Sequence, residues 1–107
     1  MSKNVKEIDA QEFNALLQGD KPVVCDFFAT WCGPCRMLAP VLDEVAEGLK
    51  DKAVFVKVDI DRNQALAEEY EIYSVPCVKM FKGGREVAEN LGYVPKSVMQ
   101  AFVEENL

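Results

Sequence analysis

Trp31-Cys32-Gly33-Pro34-Cys35 sits where one sequence pattern stops and another starts. Before it runs Pro22-Val23-Val24-Cys25-Asp26-Phe27-Phe28-Ala29, an apolar segment of strand length. After it, Cys35, Leu38, Leu42, Val45, Ala46 and Leu49 recur at helical spacing and share one face. A Cys-x-x-Cys pair that opens a helix after a strand reads as a redox motif.

The position matters because the thiolate is the nucleophile in disulfide exchange. A helix N-terminus carries unpaired N–H groups and a partial positive charge, which stabilise a thiolate. Cys32 falls at or just before the first helical residue and receives that stabilisation. Cys35 lies about one turn further in, facing the core, and is expected to be the less exposed thiol. Cys32 then attacks a substrate disulfide, and Cys35 resolves the mixed disulfide. Pro34 suits the first helical turn, where its missing N–H costs little. Gly33 is expected to give a tight turn beside an incoming disulfide. No His or Lys stands between the cysteines, which favours a reductant over a strong oxidant. A zinc site is the competing use of such a pair. The chain has no His and no second Cys-x-x-Cys, and Cys25 and Cys77 complete no zinc-ribbon spacing.

The 107 residues predict a single domain, 1–107, with a modest core. The net charge of −6, with no basic cluster, argues against nucleic acid or an anionic membrane as partner. No segment approaches transmembrane length. Met1 to Glu7 are polar and lack the apolar core of a signal peptide, so the expected location is cytoplasmic. There cysteines tend to be catalytic rather than structural.

In chain order, Val5 to Ile8 is a short candidate strand. Asp9 with Glu12 makes a variant capping box for a helix whose stripe is Phe13, Leu16 and Leu17. The strand Val23–Ala29 has few polar interruptions and belongs inside the sheet. Asp26 within it is either a buried carboxylate with a raised pKa, suited to acid–base work, or a wet and inert group at a strand end. Pro40 interrupts the helix that follows. Ala53–Ile60 is the next strand, and its Lys57 reads as a snorkelling surface lysine. Asp61 or Asn63 can cap a helix with Leu66, Ala67 and Tyr70 on its apolar side. Pro76 reads as an ordinary trans proline at the start of the strand Cys77–Phe81. Gly83-Gly84 is a hairpin signal, Glu86–Leu91 the returning strand, and Gly92 its end. Pro95 opens a last helix with Val98, Phe102 and Val103 facing inward.

Asp26-Phe27-Phe28-Ala29-Thr30-Trp31-Cys32-Gly33-Pro34-Cys35 closely resembles the active-site signature of thioredoxins. Val56-Lys57-Val58-Asp59, Val75-Pro76, Phe81-Lys82-Gly83-Gly84 and Gly92 match in order, so the resemblance spans the chain. It implies an α/β thioredoxin fold: a central mixed sheet of four or five strands with helices on both faces. It implies that Asp26 is buried and takes the Cys35 proton, and that Lys57 stands near it. It implies a cis peptide bond at Val75-Pro76 and a backbone there that pairs with an extended substrate. The activity implied is reduction of protein disulfides through Cys32 and Cys35, without metal or bound cofactor. Recharging falls to an NADPH-dependent thioredoxin reductase. Trp31, Val75, Pro76 and Gly92 form the docking platform, and a monomer is expected. An oxidase or isomerase, or a binding module using the same surface, are the alternatives. The first would prefer an export signal and a charged or His residue between the cysteines, and the chain has neither.

Four positions depart from the family pattern. Phe28 replaces a second tryptophan, and Tyr93 replaces a small residue beside the groove. Lys79 replaces an apolar residue, which suggests a strand face partly open to solvent. Cys77 replaces Thr or Ser after the proline. It is either a third redox thiol able to pair with Cys35 or a small buried hydrophobe. Cys25, next to Asp26 on the strand, points to the other sheet face and is expected to be inert.

Overall fold

The computed structural model describes residues 3–107, so Met1 and Ser2 of the polar N-terminal stretch lie outside the described residues. The elements are β1 (Lys6–Glu7), α1 (Ala10–Leu16), β2 (Val23–Phe28), α2 (Gly33–Leu49), β3 (Val54–Asp59), α3 (Gln64–Glu69), β4 (Cys77–Lys82), β5 (Arg85–Leu91) and α4 (Lys96–Glu105). They build one mixed sheet in the order β1-β3-β2-β4-β5. β1 and β2 flank β3 in parallel, β4 runs antiparallel to β2, and β5 antiparallel to β4.

Apolar side chains alternate between the two faces of the sheet. Val24, Val78 and Met80 pack with Leu38, Leu42 and Val45 of α2 and Met99 and Val103 of α4. Val23, Cys25, Phe27, Val58 and Phe81 pack on the other face with Phe13 of α1 and Leu66 of α3. Phe13 anchors that second layer, with its ring edge-on to Phe27, Tyr70 and Phe81 at 5.1–6.1 Å. Such pairs contribute about 1 kcal/mol each beyond their buried area. Helices therefore cover both faces, as the sequence implies.

Local chemistry sets the element ends. Asp9 Oδ1 accepts from the Glu12 N–H at 2.9 Å, and Glu12 Oε1 accepts from the Asp9 N–H at 3.2 Å, so the capping box forms. Asn63 is the N-cap of α3, yet its side chain makes no cap bond. It accepts instead from the Ala10 N–H and donates to the Asp59 carbonyl, tying α1 to the end of β3. Gly83 and Gly84 have φ of 59° and 79°, the left-handed geometry that a two-residue hairpin loop demands.

Two expectations need correction. In α4 the inward side chains are Met99 and Val103, with Phe102 half-buried, while Val98 is exposed. Met99 and Val103, one turn apart, set the inward line, and Val98 lies beside it on the solvent side. Lys79 does not face solvent either. It is 4% exposed, and its ammonium bonds Glu86 Oε2 and Glu89 Oε1 at 2.8 Å each. A β-bulge between Met80 and Phe81 places Glu89 directly opposite Lys79.

Candidate active site

β2 ends at Phe28, and the chain turns through Ala29 to Trp31 into α2. Cys32 is the N-cap of α2, with extended backbone, and Pro34 occupies the first turn. The Cys35 N–H donates to Cys32 Sγ at 3.1 Å, so the sulfur receives one of the orphan donors of the helix. Cys32 and Cys35 are joined as a disulfide, with Cα atoms 5.2 Å apart. Both residues are 4% exposed, so the expected difference in exposure is not seen in this oxidised form. Ala29 packs with the pair, and Phe28, Ile60 and Val75 close around it.

Gly33 has no left-handed φ, and a Cβ there would come no closer than 3.9 Å to the Arg36 guanidinium. The backbone there therefore does not itself require a glycine. The helix simply starts there.

Asp26 lies beneath this junction. Its residue is 3% exposed, and Oδ1 is buried without a hydrogen-bond partner among the described residues. Burial lifts its pKa to about 7, and the positive charge of Lys57 opposes that shift. Lys57 is the direct register partner of Asp26 in the β2–β3 pair. Its ammonium sits 5.3 Å from the centre of the Phe28 ring, a cation–π contact. Asp26, Lys57 and Cys35 line one small cavity of about 260 Å³. Lys57 is thus tied to the site rather than snorkelling away from it.

The rim is formed by distant loops. The Val75–Pro76 peptide is cis, and Cys32 Sγ lies 3.7 Å from the Val75 carbonyl oxygen. The Gly92 N–H donates to the Pro76 carbonyl at 2.9 Å, which holds the end of β5 against this loop. Gly92 has φ +84°, a conformation that favours glycine. Trp31 is 68% exposed, and Tyr93 and Leu91 are also exposed. Trp31 Nε1 donates to Asp61 Oδ2 at 2.8 Å. Sequence reasoning treated Asp61 only as a helix cap and missed this tether.

Cys77 is not part of the site. It pairs with Phe27 in the sheet and packs with the α1/α3 layer, on the face away from α2 and Cys35. Its thiol lies 3.7 Å from Glu89 Oε1. Burial is the largest cause pushing this thiol up to about 12; Lys79 opposes the shift, and Glu89 adds to it. The pairing with Cys35 that the sequence left open is excluded by this placement. Cys25 is fully buried, and burial raises its thiol well above the ordinary value. Among the described residues, no group of His, Cys, Asp and Glu is arranged to hold a metal ion.

The family model for thioredoxin matches residues 4–105. The chain is 48% identical to a thioredoxin of Alicyclobacillus acidocaldarius over 95 residues, covering 89% of this chain and 90% of the relative. It is 42% identical to thioredoxin 1 of a Nostoc species over 107 residues, the whole of both chains. It is 45% identical to an M-type chloroplastic thioredoxin of Chlamydomonas reinhardtii over 94 residues, covering 88% of this chain and 67% of the relative.

The chain belongs to the thioredoxin family.

Thioredoxins are protein-disulfide oxidoreductases, and this one carries the family's redox-active disulfide at Cys32 and Cys35. The mixed five-stranded sheet with four helices is the thioredoxin fold. Disulfide-containing proteins are the substrate class of a thioredoxin. Among the described residues, no helix is long and apolar enough to cross a membrane.

Proposed function

We propose that residues 1–107 act as one monomeric domain in the cytoplasm, with Cys32 as attacking thiolate, Cys35 as resolving thiol and Asp26 as the acceptor of the Cys35 proton. In the reduced protein, the Cys32 thiolate attacks one sulfur of a substrate disulfide. A Cys32–substrate disulfide forms, and the first substrate sulfur leaves as a thiolate and takes a proton from solvent. Cys35 then gives its proton to Asp26, directly or through a water, and its thiolate attacks Cys32 Sγ. The second substrate sulfur leaves, and the Cys32–Cys35 disulfide closes. Two electrons have passed from the protein to the substrate.

One arrangement supports the reading most directly: the buried Asp26 carboxyl and Cys35 line the same cavity beneath the disulfide. A pKa of about 7 lets Asp26 both accept and release a proton near neutral pH. Lys57 moderates that value. Trp31, Val75, Pro76, Gly92 and Tyr93 form the edge along which an extended substrate lies, and Gly33 and Pro34 shape the helix start beneath it. An NADPH-dependent thioredoxin reductase returns the disulfide to the dithiol.

The test is trapping. Cys35→Ser, mixed with a disulfide-linked peptide, should accumulate a one-to-one adduct on Cys32, read by mass. Cys32→Ser should form none. An adduct on Cys35 in that variant, at a comparable rate, contradicts the assignment.

A further inference from the structure

The face of β5 that carries Glu86, Glu89 and Leu91 borders a cleft of about 520 Å³, walled on its other side by the segment Glu69 to Ser74. Cys77 and Lys79 also line it. We infer that this cleft is a specificity subsite that takes a lysine or arginine side chain of the partner polypeptide, a few residues from the disulfide under attack. The inference rests on the substrate edge proposed above.

Charge is the first argument. Four glutamates, Glu69, Glu71, Glu86 and Glu89, line the cleft against one lysine. The charge of Lys79 is already answered by two of them at 2.8 Å each. That pairing fixes Glu86 and Glu89 in place, and each keeps its second oxygen without a hydrogen-bond partner among the described residues. The bond from Lys79 holds Glu89 below the usual carboxylate range, so it is ionised at neutral pH. Glu69 and Glu71 make no ion pair among the described residues. Both are exposed, so they supply the two uncompensated charges that an incoming cation meets, whereas Glu86 and Glu89 are already engaged by Lys79.

Surface chemistry is the second argument. Tyr73 is 86% exposed and stands at the rim, a free aromatic face for a cation. Leu91, 57% exposed, offers apolar surface to the methylene stem of the same side chain.

Continuity with the substrate edge is the third. Ser74 of the cleft directly precedes Val75, whose carbonyl faces Cys32 Sγ at 3.7 Å. Leu91 directly precedes Gly92, which is bonded to Pro76. A substrate strand that pairs beside Val75 advances about 3.3 Å per residue and reaches the cleft within a few residues.

The test compares two disulfide-linked peptides that differ only in a lysine or an alanine a few residues from the cysteine. The expected kcat/KM ratio is about five-fold in favour of lysine at low salt, from two partly exposed charge contacts. It should fall toward one at high salt and in the double variant Glu69→Gln, Glu71→Gln. The comparison variant Glu104→Gln, Glu105→Gln removes the same charge from α4, on the opposite face of the sheet, and should retain the ratio. A ratio of one in the unaltered protein overturns the inference. So does a ratio that survives the cleft variant or falls equally in the α4 variant, since overall acidity would then be the cause. If both peptides are reduced at the same rate, the subsite fails and the substrate edge stands; reduction of neither overturns both.

Discussion

Asp26 and Lys57 stand directly opposite each other in the parallel β2–β3 pair, and both line the cavity that reaches Cys35. Lys57 Nζ is placed over the Phe28 ring, 5.3 Å from its centre. Phe28 therefore supplies the aromatic face beneath this cation. The carboxyl is lifted by burial and restrained by the lysine, and the balance falls at about 7.

That balance has a consequence for folding. Burial raises the Asp26 pKa from its unfolded value to about 7, so the folded state favours the protonated carboxyl. Its contribution is full below the unfolded aspartate pKa and is lost as pH rises through about 7. Asp26→Ala should therefore be more stable than the unaltered protein at pH 8, by roughly 2 kcal/mol. The gain should vanish below about pH 4. Urea unfolding at both pH values checks this; a loss of stability at pH 8 would contradict a buried, poorly compensated carboxylate.

Lys57→Met removes the charge that restrains Asp26. The Asp26 pKa should then rise further, and the pH midpoint for resolution of the mixed disulfide should move upward with it. Stopped-flow release of the second substrate thiol, followed from pH 5 to 9, reads that midpoint. An unchanged midpoint would mean that the lysine does not act on Asp26.

Cys25 and Cys77 should be silent thiols. Both are buried, and burial is the main cause that raises each above the ordinary thiol value. With the reduced protein at pH 7.5, brief alkylation should modify Cys32 first and leave Cys25 and Cys77 unmodified until denaturant is added. Labelling of Cys77 at a rate near that of Cys32 would show an open thiol in the cleft.

The capping box carries a conventional stability effect. Asp9→Ala removes the bond to the Glu12 N–H and should cost about 1 kcal/mol. Because Asp9 touches neither the disulfide nor its rim, the loss should appear in the urea midpoint.

The site was most legible where local pattern and chemistry coincide. The buried face of α2 contains the residues its spacing picks out, Cys35, Leu38, Leu42, Val45, Ala46 and Leu49. A helix start marked by Cys32 and Pro34 needs no long-range knowledge. Lys79 was misread because its partners depend on register. A regular two-residue hairpin about Gly83-Gly84 would set Lys79 opposite Ala88. The bulge moves the ladder by one residue and brings Glu89 opposite instead. Nothing local in the sequence announces that bulge. The Trp31–Asp61 tether is equally hidden, because it joins two loops 30 residues apart. Val98 is hidden for a similar reason: Val98–Phe102 and Met99–Val103 are both i, i+4 pairs, and only packing against α2 selects the second as the inward line.

The reduction potential of the Cys32–Cys35 couple tests the central claim most directly. The protein is equilibrated in graded thiol/disulfide buffers and alkylated, and its modified cysteines are counted by mass. By family membership, the couple should lie near roughly −270 mV, the value characteristic of thioredoxins, and two thiols should titrate together. A value near about −120 mV would mark a strong oxidant and contradict a protein that reduces disulfides.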